Sequence, residues 1–240
     1  MNNDIVIFLT GTVSPENVPN LKRTNPSLRE ADYCNAIQKW IKLGYPVVFV
    51  ENSNYNSVSL DKLFSENPNS EYIKFKSTQS HLGKSHGEAE IIMHAIVTSH
   101  LIKSSRVIAK ASGRQYITNA AMIIEEFTLQ KPYVMAWLKQ FLQFADSRFF
   151  VAHKDFFMVY FAKKLDIISE SEGIYFEHAL ARAVHQSISD GKVWLPPNRY
   201  PVCEGISGTN DVKYQNTIFS RFKGNIILKL THRMLRNNYL

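Results

Sequence analysis

Four short polar clusters hold the residues of this chain best suited to chemistry. They are Thr10-Gly11-Thr12, Glu51-Asn52-Ser53, Lys84 to Glu88, and Lys110 to Arg114. Together they offer glycines for close backbone approach, hydroxyls and amides for hydrogen bonding, and several cations. That assortment fits a nucleotide diphosphate better than an apolar ligand, because Arg meets phosphate oxygens with a bidentate fork. Each cluster also has a plainer reading. Lys110 and Arg114 read equally as a solvated loop pair, and Glu51-Asn52-Ser53 as a turn closing a strand. Gly87-Glu88, at the start of a helix, either presents N–H groups to phosphate or places a favourable charge in the first turn.

The elements that position these clusters follow from periodicity. Ile5-Val6-Ile7-Phe8-Leu9 is a short β-branched and aromatic run, predicted as a buried strand. From Leu28 to Leu43, Tyr33, Ile37, Trp40 and Ile41 recur at helical spacing until Gly44 and Pro46 stop them. Val47 to Val50 is a second buried strand, completing a βαβ unit with a parallel sheet. Further strands are predicted at Tyr72 to Phe75, Val107 to Ala109 and Phe149 to Ala152. Helices are predicted over Glu88 to Ile102, Asp155 to Leu165 and Tyr175 to Ile188, and a loop from Val193 to Asp211. In such sheets ligands bind at the carboxyl ends of the strands, where the four clusters fall.

Composition narrows the class. The chain has 240 residues, 45% hydrophobic and 20% charged, which is globular rather than disordered. No segment approaches the roughly 18 apolar residues of a membrane span, and the first residues lack a secretory pattern, so the expected location is the cytoplasm. Cys34 and Cys203 are expected as buried free thiols. The net charge of +7 implies an anionic partner. No phosphate-loop, dinucleotide or hydrolase-elbow motif occurs, and His178 and His185 lack a third ligand for zinc. A nucleic-acid groove is disfavoured because the cations are not interleaved with aromatics.

The C-terminal segment shows the clearest period. Tyr214, Ile218, Phe219, Phe222, Ile226, Ile227, Leu230, Met234 and Leu235 read as one helical face, with Lys213, Arg221, Lys223, Lys229, Arg233 and Arg236 largely off it. Such a helix either lies on an anionic bilayer or docks on the core with a solvated basic face. The expected organisation is a domain over residues 1–212 and an amphipathic helix over 213–240 packed on the domain, the membrane surface, or both.

Several blocks resemble a family of bacterial glycosyltransferases from capsule, O-antigen and lipooligosaccharide loci. They run from Arg23 through Arg29 to Tyr33, then Glu51-Asn52-Ser53, Gly83 to Glu90, Lys110 to Tyr116 with Asn119, Asp146-Ser147-Arg148, Glu177-His178, and Gly205 through Tyr214. Ser85 and the inserted Gln115 depart from the family's usual forms. The resemblance implies a GT-A-like, Rossmann-like α/β fold with a mixed, mostly parallel sheet flanked by helices. It also implies a nucleotide-sugar donor and a glycan or lipid-linked acceptor. Ser112-Gly113-Arg114 stands where a metal-binding D-x-D is usual, so no cofactor is expected, with a metal ion left open as the alternative, and Arg114, Lys110 and Lys84 are expected to meet the leaving phosphate. Thr10, Gly11, Arg23, Glu51, Asn52, Ser53, Gly87, Glu88 and Gly113 complete the implied donor site. Glu177 is the first candidate for the base that deprotonates an acceptor hydroxyl and Asp146 the second, with Arg148 and His178 beside the acceptor. Structural roles are open for both carboxylates, Glu177 as a helix N-terminal charge and Asp146 as a partner of Arg148. A catalytically silent nucleotide- or sugar-binding module is the competing implication.

Overall fold

A computed structural model describes residues 4–16, 18–19, 21–215 and 217–237, without the side chains of Arg236 and Asn237. Its first half holds strands β1 (Ile5–Gly11), β2 (Val47–Glu51), β3 (Ser70–Lys74) and β4 (Val107–Ser112). Between them lie helices α1 (Pro26–Ile41), α2 (Val58–Ser65), α3 (Lys84–Thr98) and α4 (His100–Ser104). The second half runs through β5 (Gln115–Ile117), α5 (Ala120–Gln130), β6 (Val134–Met135), β7 (Leu138–Lys139) and β8 (Phe144–Ala145). It continues with β9 (Phe149–His153), α6 (Phe176–Ser189), β10 (Trp194–Leu195), β11 (Cys203–Gly205) and α7 (Ile218–Asn237).

Seven strands form one sheet in the order β10-β6-β9-β4-β1-β2-β3. Only β9 runs antiparallel to its neighbours, so the sheet is mixed and mostly parallel, flanked by helices, as expected. Both faces are covered, which is why Ile5 to Leu9 of β1 and Val47 to Val50 of β2 are apolar without interruption. Ile5, Ile7 and Leu9 enter the layer with Tyr33, Ile37 and Trp40 of α1. Val6 and Phe8 enter the opposite layer with α3, α6 and the segment at 156–161. This period-two alternation also assigns the polar residues at the strand ends. Thr10 and Lys110 share the α3/α6 side with Phe8 and Ile108, while Gly11 and Glu51 share the α1 side with Leu9 and Phe49.

Several boundaries differ from expectation. Asn25 caps α1, accepting from the Leu28 N–H at 3.1 Å, and Pro26 takes the first turn, so the helix starts before Leu28. Helix α3 begins at Lys84, and Ser99 ends it by capping α4 at the Ile102 N–H, 3.0 Å away. Strand β4 runs on to Ser112, so Lys110 is a strand residue and not a loop cation. The segment expected as one helix at 155–165 is a π-helical turn over Phe156–Phe161 and then a 3-10 stretch. The π turn buries Phe156, Phe157, Tyr160 and Phe161 together. Helix α5 was unanticipated: its 11 residues are apolar on most sides, giving little contrast to read. Strands β10 and β11 lie in the stretch expected as loop and are too short to show a period. Cys203 is buried, its thiol donating to Gln115 Oε1 at 3.2 Å, and Cys34 is half-buried. Among the described residues no helix is long and apolar enough to cross a membrane.

Candidate functional site

At the carboxyl ends of β1 and β4 a cleft is lined by Thr10, Gly11, Arg29, Lys84, Glu88 and Arg114, among others. Two glycines allow it to form. A Cβ on Gly11 would lie 2.5 Å from Phe49 Cε2, and one on Gly113 would lie 2.9 Å from that atom and 3.0 Å from the Thr10 carbonyl. The Phe49 and Tyr33 rings therefore pack directly beneath the strand ends.

Tyr33 organises the wall of this cleft. Its hydroxyl accepts from the Thr12 N–H at 2.7 Å, and the guanidinium carbons of Arg29 and Arg114 lie 6.0 and 5.9 Å from its ring centre. Arg29 is buried, yet it donates only to neutral oxygens: the Thr12 carbonyl at 2.8 Å, the Arg23 carbonyl at 2.9 Å and the Tyr33 hydroxyl. Among the described residues no carboxylate lies within ion-pair distance of it. Burial lowers its pKa, and nearby Arg114 adds to the lowering against an opposing pull from Tyr33. Arg114, also buried, donates to the Ile206 carbonyl at 3.1 Å and has its nearest carboxylate, Asp32, at 3.8 Å. Gly208 leaves room for it, since a Cβ there would sit 2.4 Å from an Arg114 nitrogen. Asp32 belongs first to Arg23, which it holds at 2.6 and 3.1 Å while Asp211 takes a third Arg23 nitrogen at 2.8 Å. Asp32, ahead of the burial that opposes it, raises the Arg23 pKa.

Behind the cleft lies a polar network on the α3/α6 side. Glu88 accepts from Thr10 Oγ1 at 3.2 Å and from Lys110 Nζ. Lys110 is fully buried and donates also to the Ser147 carbonyl at 3.0 Å. Ser147 Oγ in turn donates to Glu177 Oε1 at 2.8 Å. Burial raises the Glu177 pKa and the Glu88 carboxylate adds to it, against the Ser147 hydrogen bond.

The remaining predicted residues are placed as follows. Glu51 is buried and accepts from the backbone N–H groups of Val13, Ser53 and Tyr55 at 2.9, 2.8 and 3.1 Å, so its carboxylate shapes two loops. Asn52 accepts from Thr12 Oγ1 at 2.6 Å and donates to the Gly87 carbonyl at 3.3 Å, joining β1, β2 and α3. Asn52 and Ser53 line a second hollow that shares Thr12 and Ser80 with the cleft. Gly87 lines the cleft, but its N–H bonds the Gly83 carbonyl at 3.2 Å, because α3 starts four residues earlier than expected. The Ser85 N–H is taken by Glu170 at 2.5 Å. Lys84 is exposed and reaches Thr209 Oγ1.

Asp146 and Arg148 belong to a separate cluster. Arg148 grips the buried Asp146 carboxylate at 2.8 and 2.5 Å, and Lys139 Nζ holds it at 2.6 Å. Burial opposes ionisation, but these cations keep Asp146 well below the usual carboxylate range. His178 Nδ1 accepts from the Tyr175 N–H at 3.0 Å, capping α6, and burial lowers its pKa with help from Arg182. Arg29, Tyr33 and Asp32 were missed as site residues. Their signal was present, since Arg29 continues the buried stripe of Tyr33, Ile37 and Trp40 on α1.

No group of three or more His, Cys, Asp or Glu among the described residues is placed to hold a metal ion. Glu88, the acidic residue in the cleft lining, receives Thr10 Oγ1 and Lys110 Nζ.

The chain matches no family profile and no curated protein sequence. Among solved structures it is similar to the inositol-1-phosphate CTP transferase of T. maritima, at 11% identity and TM-score 0.49, over 92% of this chain and 95% of that one. It is similar also to a mannosyltransferase of S. cerevisiae in complex with GDP, at 10% identity and TM-score 0.48, over 90% and 77% of the two chains. A cytidylyltransferase from Leptospira borgpetersenii serovar Hardjo-bovis follows at 11% identity and TM-score 0.45, over 82% and 76%. Identities and scores this low assign neither a reaction nor residue roles.

Proposed function

We propose that this chain is a glycosyltransferase that moves a sugar from a nucleotide-sugar donor to a growing surface glycan or lipid-linked acceptor, in the cytoplasm at the inner face of the membrane. One observation carries the reading. Arg23 takes Asp32 and Asp211 at 2.6 and 2.8 Å, Arg114 reaches Asp32 only at 3.8 Å, and Arg29 has no carboxylate within ion-pair distance among the described residues; Arg29 and Arg114 line the cleft. A buried cation without a counter-ion is costly unless an anion completes it, and a diphosphate supplies that anion.

In this reading the donor diphosphate lies against Arg29 and Arg114, with Lys84 reaching over from α3. Thr10, Gly11, Gly87 and Gly113 give it close backbone approach, and Arg23 holds Asp32 away from Arg114. The nucleoside extends toward Asn52 and Ser53, with Glu51 shaping that loop. The acceptor oxygen attacks the anomeric carbon as the bond to the donor phosphate breaks, leaving negative charge beside the guanidiniums. The acceptor's proton passes to Glu177, whose raised pKa suits a base better than the clamped Asp146. Lys110 and Glu88 hold the network between cleft and Glu177, while Arg148 and His178 flank the acceptor side. No metal and no nucleic acid enter this reading.

The direct test is nucleotide release from UDP-, GDP-, CMP- and dTDP-sugars by the purified full chain. Turnover of one donor class is expected, with Glu177→Gln lowering kcat by two orders of magnitude or so while KM stays near wild type. Saturable binding with no turnover of any donor, whichever acceptor is supplied, would overturn the enzyme in favour of a silent binding module.

A further inference from the structure

Helix α7 is docked differently from the single apolar face its sequence predicts. The docked side carries Gly224, Leu228 and His232. Leu228 is fully buried, the His232 ring bonds the Pro196 carbonyl at 2.5 Å, and Asn225 accepts from the Tyr200 N–H at 2.8 Å. Gly224 is needed there, since a Cβ would lie 2.2 Å from the Tyr200 ring. At 100° per residue, Phe219, Phe222, Ile226, Leu230 and Met234 fall on the opposite side. They are open to solvent: Phe219 is 75% exposed, Phe222 63%, Leu230 56% and Met234 68%. Lys223, Lys229 and Arg233 stand among them on the same arc and are exposed as well. No Asp or Glu occurs anywhere in the twenty residues of α7.

We infer that this arc lies in the headgroup region of an anionic bilayer, holding the domain on the membrane surface. The inference deepens the proposed function, since it names the surface on which a lipid-linked acceptor would be met. The apolar side chains enter the boundary of the acyl region, and the cations between them extend to the lipid phosphates. Interspersed cations are what an interfacial helix needs and a protein interface avoids. A second copy docked by the same face would set Lys223, Lys229 and Arg233 against their own duplicates. A helix of this composition does not span the bilayer.

The test is co-sedimentation of the purified full chain with vesicles of phosphatidylglycerol and phosphatidylcholine, and with vesicles of phosphatidylcholine alone. Binding to the anionic vesicles is expected, weakened by high salt and nearly absent on neutral ones. Neutralising Lys223, Lys229 and Arg233 together to Gln should cost about fivefold in partitioning for each cation removed. Phe219→Ser with Phe222→Ser should release the chain from the anionic vesicles. Circular dichroism and nucleotide binding of these variants should match wild type, because the substituted side chains touch neither core nor cleft. Equal binding to both vesicle types, no binding to either, or a dimer that Phe222→Ser dissociates would overturn the inference. Vesicle binding by a chain that binds no nucleotide would leave it standing and remove the proposed function instead.

Discussion

Arg114, Arg29 and Arg23 gather around Tyr33 at the ends of β1 and β4, while Lys139 and Arg148 gather around Asp146 just before β9, at the same edge of the sheet. Each cluster carries one more cation than carboxylate. They differ in how the charge is paired. Both cations of the Asp146 cluster touch its carboxylate, at 2.5 to 2.8 Å, and the group is closed on itself. In the Tyr33 cluster only Arg23 is tightly paired; Arg29 rests on carbonyls and Arg114 stands 3.8 Å from its carboxylate. Net charge therefore does not separate a closed ion cluster from the anion site proposed here. The pairing geometry does, together with the cleft that opens onto one and not the other.

The comparison breaks most sharply at Asp146. Asp146→Asn leaves two cations uncompensated around a buried position and should destabilise the fold by about 3–5 kcal/mol, read by denaturant unfolding. Nucleotide affinity of the folded fraction should not change. In wild type the depressed Asp146 pKa contributes stability above the unfolded carboxyl value near 4, lost as pH falls through the folded one. The converse variant is Arg114→Ala, which should weaken nucleotide binding by about thirtyfold, on the scale of a charged hydrogen bond, with little change in stability. Gly113→Ala joins the two effects. Its Cβ would press on Phe49 and the Thr10 carbonyl, at an expected cost of about 1–3 kcal/mol and weaker nucleotide binding. The smallest effect is expected at Glu177. Because its folded pKa is raised, its charge destabilises the fold as pH rises through that value. Glu177→Gln should therefore raise Tm by a degree or two near pH 7 and by less at pH 4, measured by calorimetry at both, while lowering kcat by about two orders of magnitude.

The sheet was legible because its central strands are buried on both faces and read as unbroken apolar runs at Ile5 to Leu9 and Val47 to Val50. The polar strand ends were legible for the same reason, since they interrupt those runs. What each polar residue does there was not. Lys110 reads as a loop cation because its partners, Glu88 and Ser147, come from elements 22 and 37 residues away. Glu51 reads as a ligand for a nucleoside, but three backbone N–H groups converge on it, and convergent backbone leaves no trace in composition. Arg29 is the instructive omission. A cation on the buried stripe of α1 shows nothing of its partners in sequence, and only the fold reveals that Asp32 goes to Arg23 while Arg29 rests on the Thr12 carbonyl.

The Arg29 and Arg114 guanidiniums are the centre of the proposed anion site, and calorimetric titration of UDP, GDP, CMP and dTDP into the full chain tests them most directly. The expected result is saturable binding of one nucleotide, unchanged by EDTA and sharply weakened by Arg114→Ala. Failure of all four to bind, or binding that Arg114→Ala leaves intact, would contradict it.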